Sequence, residues 1–281
     1  APSWVMVRDN VTGLIWENKT NDGSIHDGSE KFTWCDRNPA TNGGNQGTCG
    51  TGTGDNATDT EAFIKALNDA KFGGFSDWRL PTVKELATIL DFRRSHPFIN
   101  TTYFTNTVSS GYWSSNVDAN ESKWSKCVVF SYGAIGSCFK NNPIAVRAVR
   151  GERSESSFID NGDGTVTDTA TGLMWQRETV MKNNWEAALD YTESLLLAGY
   201  SDWRLPQIQE LISIVDYSRR PPAIDSQAFP GTGDSWYCSS TTHGIDDYTE
   251  WLLSYFVGDI ATTYKSDNYC SVRAVRGGQN R

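Results

Sequence analysis

Apolar and polar positions along this chain fall into short runs, and the runs come in the same order twice. Gly74-Phe75-Ser76-Asp77-Trp78-Arg79-Leu80-Pro81 returns as Gly199-Tyr200-Ser201-Asp202-Trp203-Arg204-Leu205-Pro206, an offset of 125 (199 − 74). Ala145-Val146-Arg147-Ala148-Val149-Arg150-Gly151 returns as Ser271-Val272-Arg273-Ala274-Val275-Arg276-Gly277, an offset of 126 (271 − 145). An offset that hardly changes over so long a stretch predicts a duplicated folding unit. The boundaries expected are 1–152 and 153–281, with Glu152 to Ser157 as a short polar linker.

Within each copy the periodicity predicts two helices. Thr58-Asp59-Thr60-Glu61 has capping-box spacing, with Thr58 as the cap. Phe63, Ala66, Leu67 and Ala70 then share a helical face, and Gly73 ends the run. Trp185, Ala188, Leu189 and Thr192 are the counterparts. A second capping box, Thr82-Val83-Lys84-Glu85, precedes Leu86, Ile89 and Leu90; its counterpart carries Ile208, Leu211, Ile212 and Val215. Asn161-Gly162 and Asp163-Gly164 are turn formers, so Asp160 to Trp175 reads as turn, strand, turn, strand. Val7-Arg8-Asp9 and Thr12 to Trp16 repeat the latter part. Copy one carries 34 extra residues (159 − 125) before its Trp-Arg-Leu-Pro box, including Gly50-Thr51-Gly52-Thr53-Gly54. Tyr112-Trp113-Ser114-Ser115 aligns with Trp236-Tyr237-Cys238-Ser239, and Trp124 to Phe130 with Trp251 to Val257. The closing Val-Arg-Ala-Val-Arg-Gly predicts a strand with its arginines on the face opposite the apolar residues. The fold class expected is α+β: two tandem domains, each with two helices and small antiparallel sheets joined by long loops.

Charge and composition narrow the function. A net charge of −9 and a pI near 4.9 argue against nucleic acid, whose phosphates need clustered Lys and Arg. No run of 18 apolar residues occurs, so no membrane-spanning helix is expected. Aromatics make up 12% of the chain, with 11 Trp. Two readings are open: core filler in small loop-rich domains, or a solvent-facing binding platform. The six cysteines suggest local pairs. Cys127 and Cys138 flank a hairpin turning near Tyr132-Gly133, Cys238 and Cys270 lie before and within the closing strands, and Cys35 and Cys49 bracket a Gly-rich loop. Three disulfides imply an oxidising compartment, secreted, cell-surface or periplasmic. The Ala1-Pro2-Ser3 start fits removal of a signal peptide, and equally a trimmed chain. No metal is expected, because no Cys-x-x-Cys occurs and His26, His96 and His243 are scattered. The Asp160 loop fails as an EF-hand, since Gly162 and Thr171 stand at ligand positions 3 and 12.

These pieces resemble the C-terminal domain of the Legionella collagen-like protein, a family of secreted bacterial proteins. The resemblance rests on Asp160 to Asp168, Thr171 to Trp175, Gly199 to Pro206, Tyr112 to Ser115, Tyr264 to Tyr269 and Val272 to Gly277. It implies a C-type-lectin-like fold in two tandem copies. It further implies adhesion, which in the best-studied member means binding sulfated polysaccharides through basic residues as a trimer. This chain departs in its acidic balance and in lacking a collagen-like Gly-X-Y run. The Glu-Pro-Asn and Gln-Pro-Asp signatures of calcium-dependent sugar binding are missing too.

Candidate ligand-binding residues are the aromatic pairs Tyr112-Trp113 and Trp236-Tyr237, which lie where lectin-like folds carry ligand loops. Arg94 and Arg219, from the Arg pairs after each second helix, read either as caps complementing the helix dipole or as a duplicated basic loop for an acidic ligand. The Trp-Arg-Leu-Pro boxes read as structural, with Asp77 pairing Arg79 and Asp202 pairing Arg204, or as anion-binding helix starts. Five Asn-X-Ser/Thr acceptors (Asn10, Asn18, Asn56, Asn100 and Asn120) all fall in copy one. No nucleophile elbow, His-Glu-x-x-His, P-loop or dinucleotide fingerprint occurs, so neither an enzyme nor a cofactor is expected. The formylglycine-generating enzymes share a related fold but need reactive cysteines. The leading expectation is therefore an adhesin-like binding protein for glycan or protein ligands. The alternative is a self-associating subunit of an extracellular fibre or pilus assembly.

Overall fold

The computed structural model describes residues 4–94, 96–153, 156–266 and 269–277; residues 154–155 of the linker and 267–268 of the Tyr264–Tyr269 segment lie outside them. The protein is α+β and divides into two compact units, Ala1–Glu152 and Arg153–Arg281.

Unit 1 runs β1 (Met6–Arg8), β2 (Ile15–Glu17), α1 (Thr60–Asp69), α2 (Val83–Thr88), β3 (Gly111–Val117), β4 (Trp124–Val129), β5 (Ala134–Phe139) and β6 (Val149–Arg150). Its sheets are ordered β1-β2-β6 and β3-β4-β5. Unit 2 runs β7 (Phe158–Asp160), β8 (Thr165–Asp168), β9 (Met174–Gln176), β10 (Val180–Lys182), α3 (Trp185–Glu193), α4 (Ile208–Ser213), β11 (Trp236–Thr242), β12 (Thr249–Ser254), β13 (Asp259–Tyr264), β14 (Cys270–Val272) and β15 (Val275–Arg276). Its sheets are β7-β8-β9-β15 and β10-β14-β11-β12-β13.

The two repeated motifs bind each other. Arg79 exchanges backbone hydrogen bonds with Val149 at 2.9 and 3.0 Å, as Arg204 does with Val275. The Arg79 guanidinium forks onto Glu85 at 2.7 and 2.6 Å and reaches the Gly151 carbonyl at 3.0 Å. Arg204 does the same with Glu210 and Gly277. The carboxylate it holds also caps the following helix: Glu85 accepts from the Thr82 N–H and Glu210 from the Gln207 N–H, both at 2.8 Å. Asp77 pairs instead with Arg150, and Asp202 with Arg276, each arginine lying 3.6 Å from the centre of Phe75 or Tyr200. The expected Asp77–Arg79 and Asp202–Arg204 pairs are thus replaced by a cross-motif clasp.

That clasp explains the closing strand. Arg147 and Arg150 are an odd number of residues apart, so they do not share a face. Arg147 is fully buried; it donates to the Glu17 carbonyl and to Thr107 Oγ1, both at 2.7 Å. Arg273 repeats this against the carbonyls of Gln176 and Arg177 and the hydroxyls of Thr179 and Thr232.

Most tryptophans are core: Trp16, Trp34, Trp78, Trp113, Trp175, Trp203 and Trp251 are buried. The predicted helices form, with Phe63 and Leu67, and then Leu211 and Ile212, facing inward. The cap of α1 is Asp59, whose carboxylate accepts from the Ala62 N–H, one residue beyond the expected Thr58. All three disulfides form as expected: Cys35–Cys49, Cys127–Cys138 and Cys238–Cys270.

The extra residues of unit 1 change which segment supplies a core ring. Trp34 and Trp185 fill one equivalent position: the indole N–H donates to Ser114 or Ser239, and the ammonium of Lys140 or Lys265 lies 4.1 Å over the ring. Trp185 is the first residue of its helix. After Trp34 the chain makes the Cys35–Cys49 loop and starts α1 only at Thr60.

Candidate functional site

The predicted aromatic pairs are core, with one exception. Tyr112, Trp113 and Tyr237 are fully buried. Tyr112 accepts from the Val108 N–H at 3.1 Å and packs edge-on to Phe130 at 5.0 Å. The Trp113 indole donates to the Phe32 carbonyl at 2.7 Å. Tyr237 bonds the Thr179 hydroxyl at 2.8 Å and packs edge-on to Tyr255. Successive residues of β3, Tyr112 and Trp113, are both buried, as are Tyr237 and Cys238 of β11, so both faces of these strands are covered and their rings fill the core. The register shows why the boxes misled: Tyr112 is equivalent to Tyr237, and Trp113 to Cys238, since each latter pair faces Cys127 or Leu252 on the neighbouring strand. Trp236 therefore stands at the place of Gly111 and is 40% exposed.

Arg94 and Arg219 are not helix caps. The last turns of α2 and α4 hold no basic residue. Arg94 pairs with Asp91 at 3.0 Å, and Arg219 with Asp216 at 2.8 Å, in a turn past the helix. Each charge already has an acid, which weakens the basic-loop reading.

Solvent-facing rings gather elsewhere, at the open end of the hairpin that is equivalent in the two units. In unit 1, Trp124 and Phe139 are direct partners across β4 and β5, with ring centres 5.3 Å apart, and Trp124 is 38% exposed. In unit 2, Thr249 and Tyr264 are the partners across β12 and β13; Tyr264 is 60% exposed and neighbouring Tyr248 is 76% exposed. Strand alternation puts Trp124 with Phe139, and Thr249 with Tyr264, on one face.

Next along that face the two units differ. Unit 1 has Lys126, Ser137 and Asp118, with the Ser137 hydroxyl 2.5 Å and the Lys126 ammonium 3.7 Å from one Asp118 oxygen. Burial raises the Asp118 carboxyl, but the Ser137 hydroxyl, the Asn120 and Glu121 N–H groups and Lys126 together bring it below its ordinary value. Unit 2 places Trp251, Thr262 and His243 there, with the imidazole and indole centres 5.4 Å apart. Asp118 and His243 hold the same post: their N–H groups donate to the carbonyls of Trp124 and Thr249.

An aromatic face beside fixed polar groups can stack on a sugar ring or an apolar side chain while bonding its edge. Trp124, Phe139, Tyr248 and Tyr264 were not singled out from sequence. The available signal was strand register: these residues end the hairpin, where the sheet no longer has a neighbour to cover them.

Among the described residues, no helix is long and apolar enough to cross a membrane. A family model described as the Lcl C-terminal domain matches residues 5–150 and, a second time, residues 164–276. No curated protein matches the chain.

Proposed function

The chain belongs to the Lcl C-terminal domain family and carries the domain twice, and from that membership we propose a secreted or surface-held, adhesin-like binding protein built of two C-type-lectin-like modules. Its task is recognition of glycan or protein ligands, not catalysis. The observation that carries this reading is the pair of equivalent hairpin ends exposing Trp124 in one module and Tyr264 with Tyr248 in the other. Three disulfides support an extracellular or periplasmic setting. The differing polar neighbours, Ser137 with Asp118 against Thr262 with His243, favour two related but unequal specificities. Two modules on one chain strengthen attachment to a surface through effective concentration. Glycan-array and matrix-protein binding by the whole chain tests this: signal that falls in Trp124→Ala and Tyr264→Ala supports it, and unchanged signal removes the site.

A second reading is supported by the sheet edges. β5 and β13 each end a sheet order, and an edge strand offers unpaired backbone groups to another chain. On this reading the protein self-associates as a fibre subunit. Light scattering across a concentration series decides it, and a constant monomer mass rules it out.

A further inference from the structure

Unit 1 holds a groove that unit 2 has no residues to build. It lies between the exposed face of α1 and the Gly50–Gly54 loop, with a volume of about 280 Å³. Its wall is fixed by several ties. The Cys35–Cys49 disulfide anchors the loop's start. Asp59 accepts from the Gly50 N–H at 2.7 Å with one oxygen and from the Ala62 N–H at 2.9 Å with the other, so one carboxylate joins loop to helix. Arg37 donates to the Gly50 carbonyl at 3.1 Å and to Glu61 at 3.0 Å. Gly50 and Gly52 are required: a Cβ there would run into Thr58 Oγ1 or the Asn56 carbonyl. Among the described residues, the N–H groups of Thr51, Gly52 and Thr53 make no hydrogen bond.

The lining chemistry selects a ligand class. Four charges face the groove and they cancel: Arg37 with Glu61 at 3.0 Å and Lys65 with Asp69 at 2.5 Å. With its charges cancelled, the lining gives neither an anion nor a cation an electrostatic advantage over a neutral ligand. A neutral polyol can instead accept from the cations and loop N–H groups and donate to the carboxylates, leaving both pairs in place. The apolar lining is limited to small side chains such as Ala62 and Ala66, so an apolar ligand gains little. The volume lies just below the roughly 300–1,000 Å³ of drug-sized ligand sites, which suits a single ring.

We propose that this groove binds one neutral, hydroxyl-rich ring, such as a hexose or N-acetylhexosamine residue. The site is separate from the hairpin faces and would give unit 1 a contact that unit 2 lacks.

The test is amide NMR of the full chain titrated with methyl glucoside, methyl galactoside and N-acetylglucosamine. Glycine and inorganic phosphate serve as zwitterionic and anionic controls. The expected result is saturating shifts at Thr51–Gly54 and along α1 for at least one sugar, with a Kd of about 1 mM, typical of a small polar ligand. Ala62→Trp, which fills the groove from the outer helix face, should weaken that binding at least tenfold. The spectrum itself reports whether the variant is folded, and the Lys65→Ala/Asp69→Ala pair gives a second check. No shifts there with any of the sugars, or shifts there with glycine or phosphate alone, overturns the proposal. Trp124→Ala/Tyr264→Ala should leave the groove shifts intact, so failure here and failure of the hairpin reading are told apart.

Discussion

Arg79 and Arg204 each hold together three things: a helix cap, a bidentate ion pair and the carbonyl that ends the second repeated motif of their unit. Both pairs are shielded, with Glu85 and Glu210 side chains only 10% and 17% exposed. Removing one partner of such a pair costs about 3 kcal/mol because the other is left uncompensated. Arg79→Ala should therefore lower the stability of unit 1 by that order in urea denaturation, and Arg204→Ala that of unit 2. Lys at either place should recover only part, since a point charge cannot fork. Glu250 supplies the pH signature. It is 1% exposed, one of its oxygens has no hydrogen-bond partner among the described residues, and burial pushes its carboxyl up to about 8 against the ordinary 4.5, with Lys265 and a Ser239 contact opposing. A folded value above the unfolded one means stability is full below pH 4.5 and is lost as pH rises towards 8. The slope is at most roughly 1.4 kcal/mol per pH unit. Glu250→Gln should flatten that fall in the unit 2 transition; an unchanged pH profile argues that Glu250 is ionised at neutral pH. The repeated motifs were legible as important in sequence, but their roles were not. Asp77 and Arg79 are neighbours in sequence, yet each finds its partner in another segment.

At the scale of elements, helices and turns were readable because their signals are local. Thr82 and Glu85 form the capping box expected of them. The Asn161-Gly162 and Asp163-Gly164 turns lead into β8 as the turn chemistry requires. The cysteine pairs were readable for the same reason, since a hairpin brings Cys127 and Cys138 together. Strand register was not local. Aligning Trp113 with Tyr237 by residue likeness shifts the strand by one position, and one position exchanges faces. The three rings stood as surface candidates because the resemblance placed ligand loops there, and aligning Trp124 with Trp251 instead of Thr249 hid the equivalence of the hairpin ends. The disulfides also differ by element: they close 11, 14 and 32 residues. Chain entropy then predicts losses of about 3 kcal/mol for the two short loops and nearer 4 for Cys238–Cys270. Cys238→Ala/Cys270→Ala should cost more than Cys127→Ala/Cys138→Ala in denaturation midpoints, and the reverse order would count against the entropic account.

For the whole molecule, duplication has kept the clasp and varied the residues next to the hairpin end. The clasp residues match pair for pair, whereas Lys126, Ser137 and Asp118 in one unit become Trp251, Thr262 and His243 in the other. On the proposed binding function, scaffold and specificity are carried by different residues. The measurement that bears most directly on this is surface binding of the whole chain compared with Trp124→Ala, Tyr264→Ala and the double variant, on the glycan or matrix ligand found by array. Each single change should weaken binding roughly tenfold and the double change should abolish it, as expected when two modules share one surface. Equal binding by all four proteins, with folding intact, would contradict recognition through the hairpin ends.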